Sequence, residues 1–417
     1  MTNYTKSTNF ATKDTLTSGD PLKIVKGTEI NTEFDNISTA IATKSDTASP
    51  TFTGTVTIPI LSYAGTTLSA AVTGTGKMVL DTSPTLVTPA LGTPASGVLT
   101  NCTGVQYNGF KNRIINGGMA VDQRNAGASQ TITAASALAY TVDRWYAYCT
   151  GANVTGQQIT GAYTSSQYRY QFTGAASVTA IGFGQRIEAK NCFDLANTTA
   201  TLSCYISNSL LTTVTWTAYY ANTADTFGSL ASPTVTSIAT GTFTVSSTRT
   251  QYIASISIPS AATTGIQIVF TVGAQISGTW VIDSVQLEKG STATSFDYRP
   301  YGTELALCQR YFEKSYDIGT VAGTSTLTGS FAGGIFGATG GTNPVVTVFY
   351  KVPKRTAPTP TIYATDGTAG KLANTTTPVG SQTTASLQNA GENSFVMSNT
   401  AISCVVIAGH YTSSAEL

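Results

Sequence analysis

An all-β fold is what this sequence predicts, on three observations. Charged residues make up only 10% of the chain, against roughly 25% in ordinary globular domains, so hydroxyls and amides have to supply its solubility. Threonine, serine, glycine and alanine dominate, and threonine is β-branched, which suits a pleated surface. Apolar and polar residues alternate with period two in several stretches, whereas helical spacing is confined to the first forty-odd residues and one short connector. At roughly 100–200 residues per domain, a chain of 417 residues has room for about two to four compact units.

Composition also excludes classes of function. The net charge is +1 and no Lys/Arg cluster stands out, so nucleic acid is not an expected partner. The six cysteines (Cys102, Cys149, Cys192, Cys204, Cys308, Cys404) are scattered with no CxxC pair, which argues for free buried thiols rather than a zinc or redox site. Residues 1–11 are polar, and no run of about 18 apolar residues occurs, so the expectation is cytoplasmic synthesis without membrane insertion.

Residues 1–45 carry the helical rhythm. Ile30, Phe34, Ile37 and Ile41 recur at spacings of four, three and four, one short heptad seam with Thr28 placed to cap its start and residues 43–50 to end it. Such a seam is marginal alone. It suits either an amphipathic helix lying on a domain or a self-associating coil. Residues 46–108 are Thr/Gly/Pro-punctuated and nearly uncharged, and Ala48-Ser-Pro-Thr-Phe-Thr-Gly54 is echoed by Thr82-Ser-Pro-Thr-Leu-Val-Thr88. Pro and Gly at this density allow only short strands and turns. One chain cannot close a core that way, but three chains sharing Val56, Ile58, Leu80, Leu86, Leu91, Val98 and Leu99 could. The expectation is a trimeric β shaft, with a disordered linker as the alternative.

The run from Gly74-Thr-Gly-Lys-Met-Val-Leu to Asn101-Cys-Thr-Gly104 resembles the shaft of phage tail-fibre proteins, and Gly19-Asp-Pro-Leu-Lys-Ile-Val to Phe34-Asp-Asn-Ile37 and on to Ile41 resembles their virion-proximal ends. The resemblance implies an elongated homotrimeric fibre in a virion tail appendage. Its N-terminus would be held by a tail, adaptor or baseplate protein, and its C-terminus would point outwards to a host surface polysaccharide or protein.

Residues 109–300 read as a jelly-roll sandwich. Leu202, Cys204 and Ile206 share a face, as do Val214, Trp216, Ala218 and Tyr220, then Tyr252, Ala254, Ile256 and Ile258, then Ile266, Ile268, Phe270 and Val272. The end segments Arg113-Ile-Ile-Asn-Gly-Gly-Met119 with Asp143-Arg-Trp145, and Ile282-Asp-Ser-Val-Gln-Leu-Glu-Lys-Gly290 with Phe296-Asp-Tyr-Arg-Pro300, resemble carbohydrate-binding-module-like jelly rolls of phage fibres. Residues 301–315 are expected to form a connector helix capped by Thr303 and running to Lys314, with Leu305, Leu307, Cys308, Tyr311 and Phe312 on its apolar side. Residues 316–417 are expected to form a small β-sandwich tip, with residues 366–391 as long loops.

Enzyme motifs are absent. His410 is the one histidine, read as a surface or trimer-interface residue, and no Gly-x-Ser-x-Gly surrounds any serine. Gly182-Phe-Gly184 lacks the third glycine of a dinucleotide fingerprint and reads as turn glycines. Glycoside hydrolysis needs only two carboxylates, so a capsule or lipopolysaccharide depolymerase is one alternative, although the long β-helical repeat such spikes use is missing. A structural appendage, a head fibre or baseplate decoration, is another. Binding fits better. The polar faces of the sandwich strands carry Arg169 and Gln171, Ser203 and Tyr205, Thr215, Thr217 and Tyr219, Ser255 and Ser257, Gln267 and Thr271. Amides, guanidinium and tyrosine suit saccharide hydroxyls and C–H faces, and Arg169, Gln171, Tyr205, Tyr219 and Gln267 are the candidates. No cofactor is expected, apart from a structural calcium that jelly-roll resemblance places near Asp283. Calcium needs six to eight oxygens, so Asp283 would need backbone carbonyls and a second carboxylate beside it.

Overall fold

The computed structural model describes residues 3–42, 44, 61–63, 66–68, 110–135, 137–163, 166–334, 345–374, 382–399 and 406–417. The expected shaft aliphatics lie outside these residues, as do Cys102 and Cys404. The chain is nearly all β, with antiparallel sheets and a short N-terminal helix. It divides into two compact units, Met1–Thr100 and Asn101–Leu417. Among the described residues no helix is long and apolar enough to cross a membrane.

In the first unit a short helix α1 (Phe10–Asp14) precedes the longer α2 (Gly27–Ala42). Helix α2 begins one residue before the expected cap: Thr28 lies inside it, and the Glu29 carboxylate instead accepts the Lys26 backbone N–H, half of a capping box. Glu33 gathers the preceding segment onto the helix, accepting from Tyr4 Oη at 2.5 Å, from Ser7 N at 2.7 Å and Ser7 Oγ at 2.6 Å, and from the Thr8 amide. Those hydrogen bonds, Ser7 and Tyr4 foremost, pull its pKa down to about 2. The neighbouring stripe is left bare: Ile30, Phe34 and Ile41 are exposed and Ile37 is half-buried. A backbone hairpin pairs β1 (Leu61–Tyr63) with β2 (Thr66–Leu68).

The second unit holds a sandwich of two six-stranded sheets. Sheet I orders β11 (Val235–Thr244), β10 (Thr213–Ala221), β13 (Ile266–Val272), β8 (Ala180–Ile187), β5 (Trp145–Thr150) and β4 (Ala139–Tyr140). Sheet II orders β12 (Thr250–Ile258), β9 (Thr198–Asn208), β14 (Thr279–Lys289), β7 (Ser166–Thr173), β6 (Val154–Tyr163) and β3 (Gln130–Ile132). The chain changes sheet at most of its turns, the jelly-roll pattern. Between the sheets, Phe183 stacks on Trp145 (4.6 Å between centroids) and on Tyr170 (5.1 Å), and Phe172 stacks on Trp280 (5.0 Å). Each such pair adds about 0.5–1.5 kcal/mol beyond the area it buries. Cys149, Cys192, Cys204 and Cys308 are free and buried.

The two end motifs of the sandwich meet. Asn112 Nδ2 donates to the Val285 carbonyl and its Oδ1 accepts from Leu287 N, while Asp297 accepts from Asn112 N and Arg299 donates to the Asn112 and Ile114 carbonyls. The register of β14 shifts between Asp283 and Gln286. Gly117 fills that bulge, and a Cβ there would overlap the Val285 carbonyl.

Helix α3 (Tyr301–Gln309) is shorter than expected; Thr303 is inside it and Pro300 precedes it. The chain then turns into β15 (Phe312–Lys314), because this segment pairs with β22 (Val406–Ser414). A third sheet builds on β22 through β16 (Phe331–Gly334), β18 (Thr361–Tyr363) and β19 (Lys371–Asn374), and continues into β20 (Gln382–Gln388), β21 (Ser394–Asn399) and β17 (Val345–Phe349). Strands β19 and β20 replace much of the loop expected over residues 366–391, since Lys371–Ala373 pair with Gln382–Thr384.

Buried ions fix this sheet to the sandwich. Arg124 and Arg144, both from the sandwich, converge on Glu416, the former at 3.1 Å, and Glu188 at the end of β8 accepts from Arg310 (2.8 Å) and Tyr311 Oη (2.9 Å). Within the third-sheet region itself, Glu313 and Lys354 form a fully buried pair at 2.7 Å, with Tyr411 Oη donating to the same carboxylate. Losing one member of such a pair costs about 3–5 kcal/mol, because the other charge stays buried.

His410 is not a surface residue. It is fully buried, stacked 3.9 Å from the Tyr316 ring, with Nε2 donating to the Thr326 carbonyl at 2.9 Å and Nδ1 accepting from Ser315 Oγ at 3.0 Å. Burial lowers its pKa below the ordinary 6.5, against the Thr326 carbonyl, which raises it. The fold holds this ring neutral while the unfolded chain protonates it, so its contribution to stability is complete above the ordinary histidine range and declines as pH falls through it. Because the chain has one histidine, the imidazole C2–H resonance of the folded protein is unambiguous. Its titration midpoint is expected below 6.5, and a midpoint at or above that value contradicts this environment.

Candidate functional site

The outer face of sheet I is organised by a match between two strands. On β5, Trp145, Ala147 and Cys149 point into the core, which sends Tyr146 and Tyr148 outward; on β8, Ile181 and Phe183 point inward, which sends Gly182 and Gly184 outward. The register sets Tyr148 opposite Gly182 and Tyr146 opposite Gly184. The rings lie across the glycines: a Cβ on Gly182 would fall within the Tyr148 ring and one on Gly184 against the Tyr146 hydroxyl. Gly182 and Gly184 are therefore mid-strand residues and not the turn glycines the sequence suggested.

The rows continue across the sheet. Gly182 faces Thr271 and then Thr215; Gly184 faces Val269 and then Thr217; Arg186 faces Gln267 and then Tyr219. Tyr146, Tyr148, Arg186, Gln267, Val269, Thr271, Thr217 and Tyr219, together with Phe227 and Leu230 from the loop after β10, line a groove of about 260 Å³. Tyr148, Tyr219, Gln267, Thr217 and Thr271 are half-buried, placed to be touched from solvent. Arg186 is locked, donating to Gln267 Oε1 (3.1 Å), the Gly228 carbonyl (2.9 Å) and the Leu417 carbonyl (2.8 Å). That bond orients the Gln267 amide with its nitrogen left to donate. Burial raises the pKa of Tyr148, against the neighbouring Thr271 side chain, which lowers it. Among the described residues no aspartate or glutamate lines the groove.

The five residues singled out from sequence do not share one face. Tyr219 and Gln267 are neighbours in the groove. Arg169, Gln171 and Tyr205 lie on the opposite sheet, where β7 and β9 belong. There Asp283 is buried and both its oxygens accept from Arg249, at 2.9 and 2.5 Å. The Arg249 guanidinium lies 3.7 Å from the Tyr205 ring and 4.5 Å from the Tyr163 ring, and Arg169 sits 5.3 Å from Tyr163. This is a closed cation–π and ion-pair network. Its carboxylate is already neutralised, and among the described residues no group of three or more His, Cys, Asp or Glu could hold a metal. Sequence reasoning missed Tyr146, Tyr148 and Arg186. The signal was there: Tyr-Ala-Tyr and Gly-Phe-Gly have the same alternation, and small residues opposite large ones are how adjacent strands accommodate flat rings.

No family model matches the sequence, and no curated protein matches it. Solved structures give weak likenesses. The enzymatically active domain of tailspike protein 4 from bacteriophage CBA120 is 16% identical at a TM-score of 0.27, over 43% of this chain and 22% of that one. A CBM4 carbohydrate-binding module is 16% identical at 0.27, over 42% of this chain and 98% of that one. The C-terminal family 22 carbohydrate-binding module of a Clostridium thermocellum xylanase is 14% identical at 0.25, over 36% and 89%. At these scores, what the chain does has to be read from its own residues.

The tyrosine-on-glycine arrangement is testable by stability. Gly182→Ala is expected to displace the Tyr148 ring and cost about 1–3 kcal/mol in a urea melt, as overpacking does. Gly302→Ala, in α3 with open space around the missing Cβ, is expected to be neutral or to stabilise by about 0.5–1 kcal/mol. Equal and benign effects at both positions would contradict the arrangement.

Proposed function

We propose that the chain is a fibre-type adhesin of a phage tail, a homotrimer that holds a bacterial surface glycan in the groove of sheet I. The observation that carries this reading is the groove itself: half-buried Tyr148 and Tyr219 on a rigid sheet, with Gln267, Thr217 and Thr271 between them. Pyranose C–H faces pack on tyrosine rings, and the amide and hydroxyls exchange hydrogen bonds with sugar hydroxyls. Tyrosine has few torsions to freeze, so such a surface loses little entropy on binding. Among the described residues the groove is lined by amides, hydroxyls and rings and by no carboxylate, which favours binding over cleavage there, since glycoside hydrolysis needs a pair of carboxylates.

Trimerisation is the second part of the proposal, and the bare stripe of α2 supports it. Phe34 and Ile41 are 64% and 63% exposed, and these residues recur at heptad spacing. A helix of 16 residues with such a stripe gains most by facing copies of itself. Three weak sites at fixed geometry would bind a repetitive surface far more tightly than one. The N-terminal unit would then be the part held by a virion protein.

Binding of the full chain to an array of bacterial surface glycans is expected, with Tyr148→Ala weakening the hit by roughly tenfold or more while the protein stays folded at the assay temperature, and with no release of reducing ends. Unaltered binding by that variant would overturn the groove; reducing ends released by the wild type would favour a depolymerase. Sedimentation of the full chain is expected to give a trimer that Phe34→Asp dissociates, and a monomeric wild type would remove the avidity mechanism.

A further inference from the structure

A second cleft, of about 280 Å³, opens at the end of the sandwich where the two end motifs meet, and it shares no residue with the groove of sheet I. Its walls are Tyr168 at the start of β7, Phe296 and Tyr298 from the segment after β14, and Tyr301 with Glu304 from α3; Gln167 stands at its rim. Tyr298 is 71% exposed and Tyr301 45% exposed. Large rings left in water around a concavity mark places where a ligand covers them.

The polar lining narrows the ligand's chemistry. Glu304 Oε1 accepts from the Asn116 backbone N–H and from Arg299 Nη1 at 3.2 Å, whereas Oε2 has a 3.3 Å contact with that same Nη1. A carboxylate offers about four acceptor positions, so Glu304 retains capacity to receive ligand hydroxyls, and its side chain is 12% exposed toward the cleft. Arg299 neutralises it. Paired charge of this kind favours neither an anionic nor a cationic ligand, while several flat rings beside a hydroxyl acceptor fit a pyranose. The volume lies at the small end of ligand clefts, enough for roughly one or two sugar rings.

We infer that this cleft is a second saccharide site, taking a neutral pyranose by stacking on Tyr298 and Tyr301 and by hydroxyl donation to Glu304. The inference rests on the reading of the chain as a glycan binder, but it concerns separate residues and is separately testable. The experiment is calorimetric titration of the full-length protein with neutral tetrasaccharides of glucose, galactose and N-acetylglucosamine, alongside sedimentation. Tyr298→Ala alters a ring that is mostly in water, so folding is not at issue, and an unchanged melting temperature checks this.

The expected result is a stoichiometry that falls from two sugars per chain to one in Tyr298→Ala, and likewise to one in Tyr148→Ala. A wild-type stoichiometry of one that Tyr298→Ala leaves intact and Tyr148→Ala abolishes would overturn the second site and leave the groove standing. Loss in Tyr298→Ala alone would uphold the cleft and overturn the groove. An unchanged stoichiometry together with a changed oligomeric state in Tyr298→Ala would make the cleft a subunit contact and overturn its assignment to sugar. No binding of any probe by the wild type would overturn the cleft as a neutral-sugar site, leaving the glycan array to decide the groove.

Discussion

The stacking of Phe183 between Trp145 and Tyr170 fixes which way the side chains of β5 and β8 face at the sheet I groove. Phe183 and Trp145 belong to adjacent strands of one sheet and Tyr170 to the other, so one ring ties both layers and two neighbouring strands. Side chains on a strand alternate, so placing Trp145 and Phe183 inside leaves Tyr146, Tyr148, Gly182 and Gly184 no choice but to face out. A slip of one residue would turn a tryptophan and a phenylalanine to the outer face and force tyrosine hydroxyls and Arg186 between the two sheets. The hydrophobic core therefore specifies the register, and the register specifies the groove.

Rigidity comes from a different source. The third sheet and the last residues are joined to the sandwich by buried ions, Glu416 between Arg124 and Arg144 and Glu188 beneath Arg310 and Tyr311, beside an apolar cluster of Ile115, Val121, Cys308, Tyr311 and Leu417. Burial raises the pKa of Asp143 in the same region to about 7, with Arg124 opposing the rise. It lowers that of Lys314 to about 8, against the attraction of Asp143 and Asp122. Such clusters contribute little net stability compared with apolar packing, yet they tolerate no rearrangement that leaves one charge unpaired. The Leu417 carbonyl, reached by Arg186 and Tyr140, carries that rigidity to the edge of the groove.

Much of this fold could be read from the sequence, because period-two patterning is local. The strands around Leu202, Val214, Tyr252 and Ile266 were visible, as was the burial of Cys149, Cys192, Cys204 and Cys308. Sheet membership was not, since topology decides it: β7 and β9 carry Arg169, Gln171 and Tyr205 to one side of the sandwich while β10 and β13 carry Tyr219 and Gln267 to the other. Gly182 and Gly184 read as turns because a glycine pair signals a turn unless the partner strand is known to bring rings over it. His410 read as a surface or trimer-interface residue because nothing local announces Tyr316 and Thr326, far off in sequence. Asp283 suggested a metal because its neutralising partner, Arg249, comes from another strand connection.

What remains is whether the outward rows of sheet I meet a glycan as a surface. The most direct measurement is hydroxyl-radical footprinting of the full chain with and without purified bacterial surface polysaccharide, read residue by residue by mass spectrometry. The expected result is reduced oxidation of Tyr148 and Tyr219, with Tyr205 and Tyr163 on the opposite sheet unchanged. Protection confined to the opposite sheet, or oxidation of Tyr148 and Tyr219 that the polysaccharide leaves unaltered, would contradict the central claim.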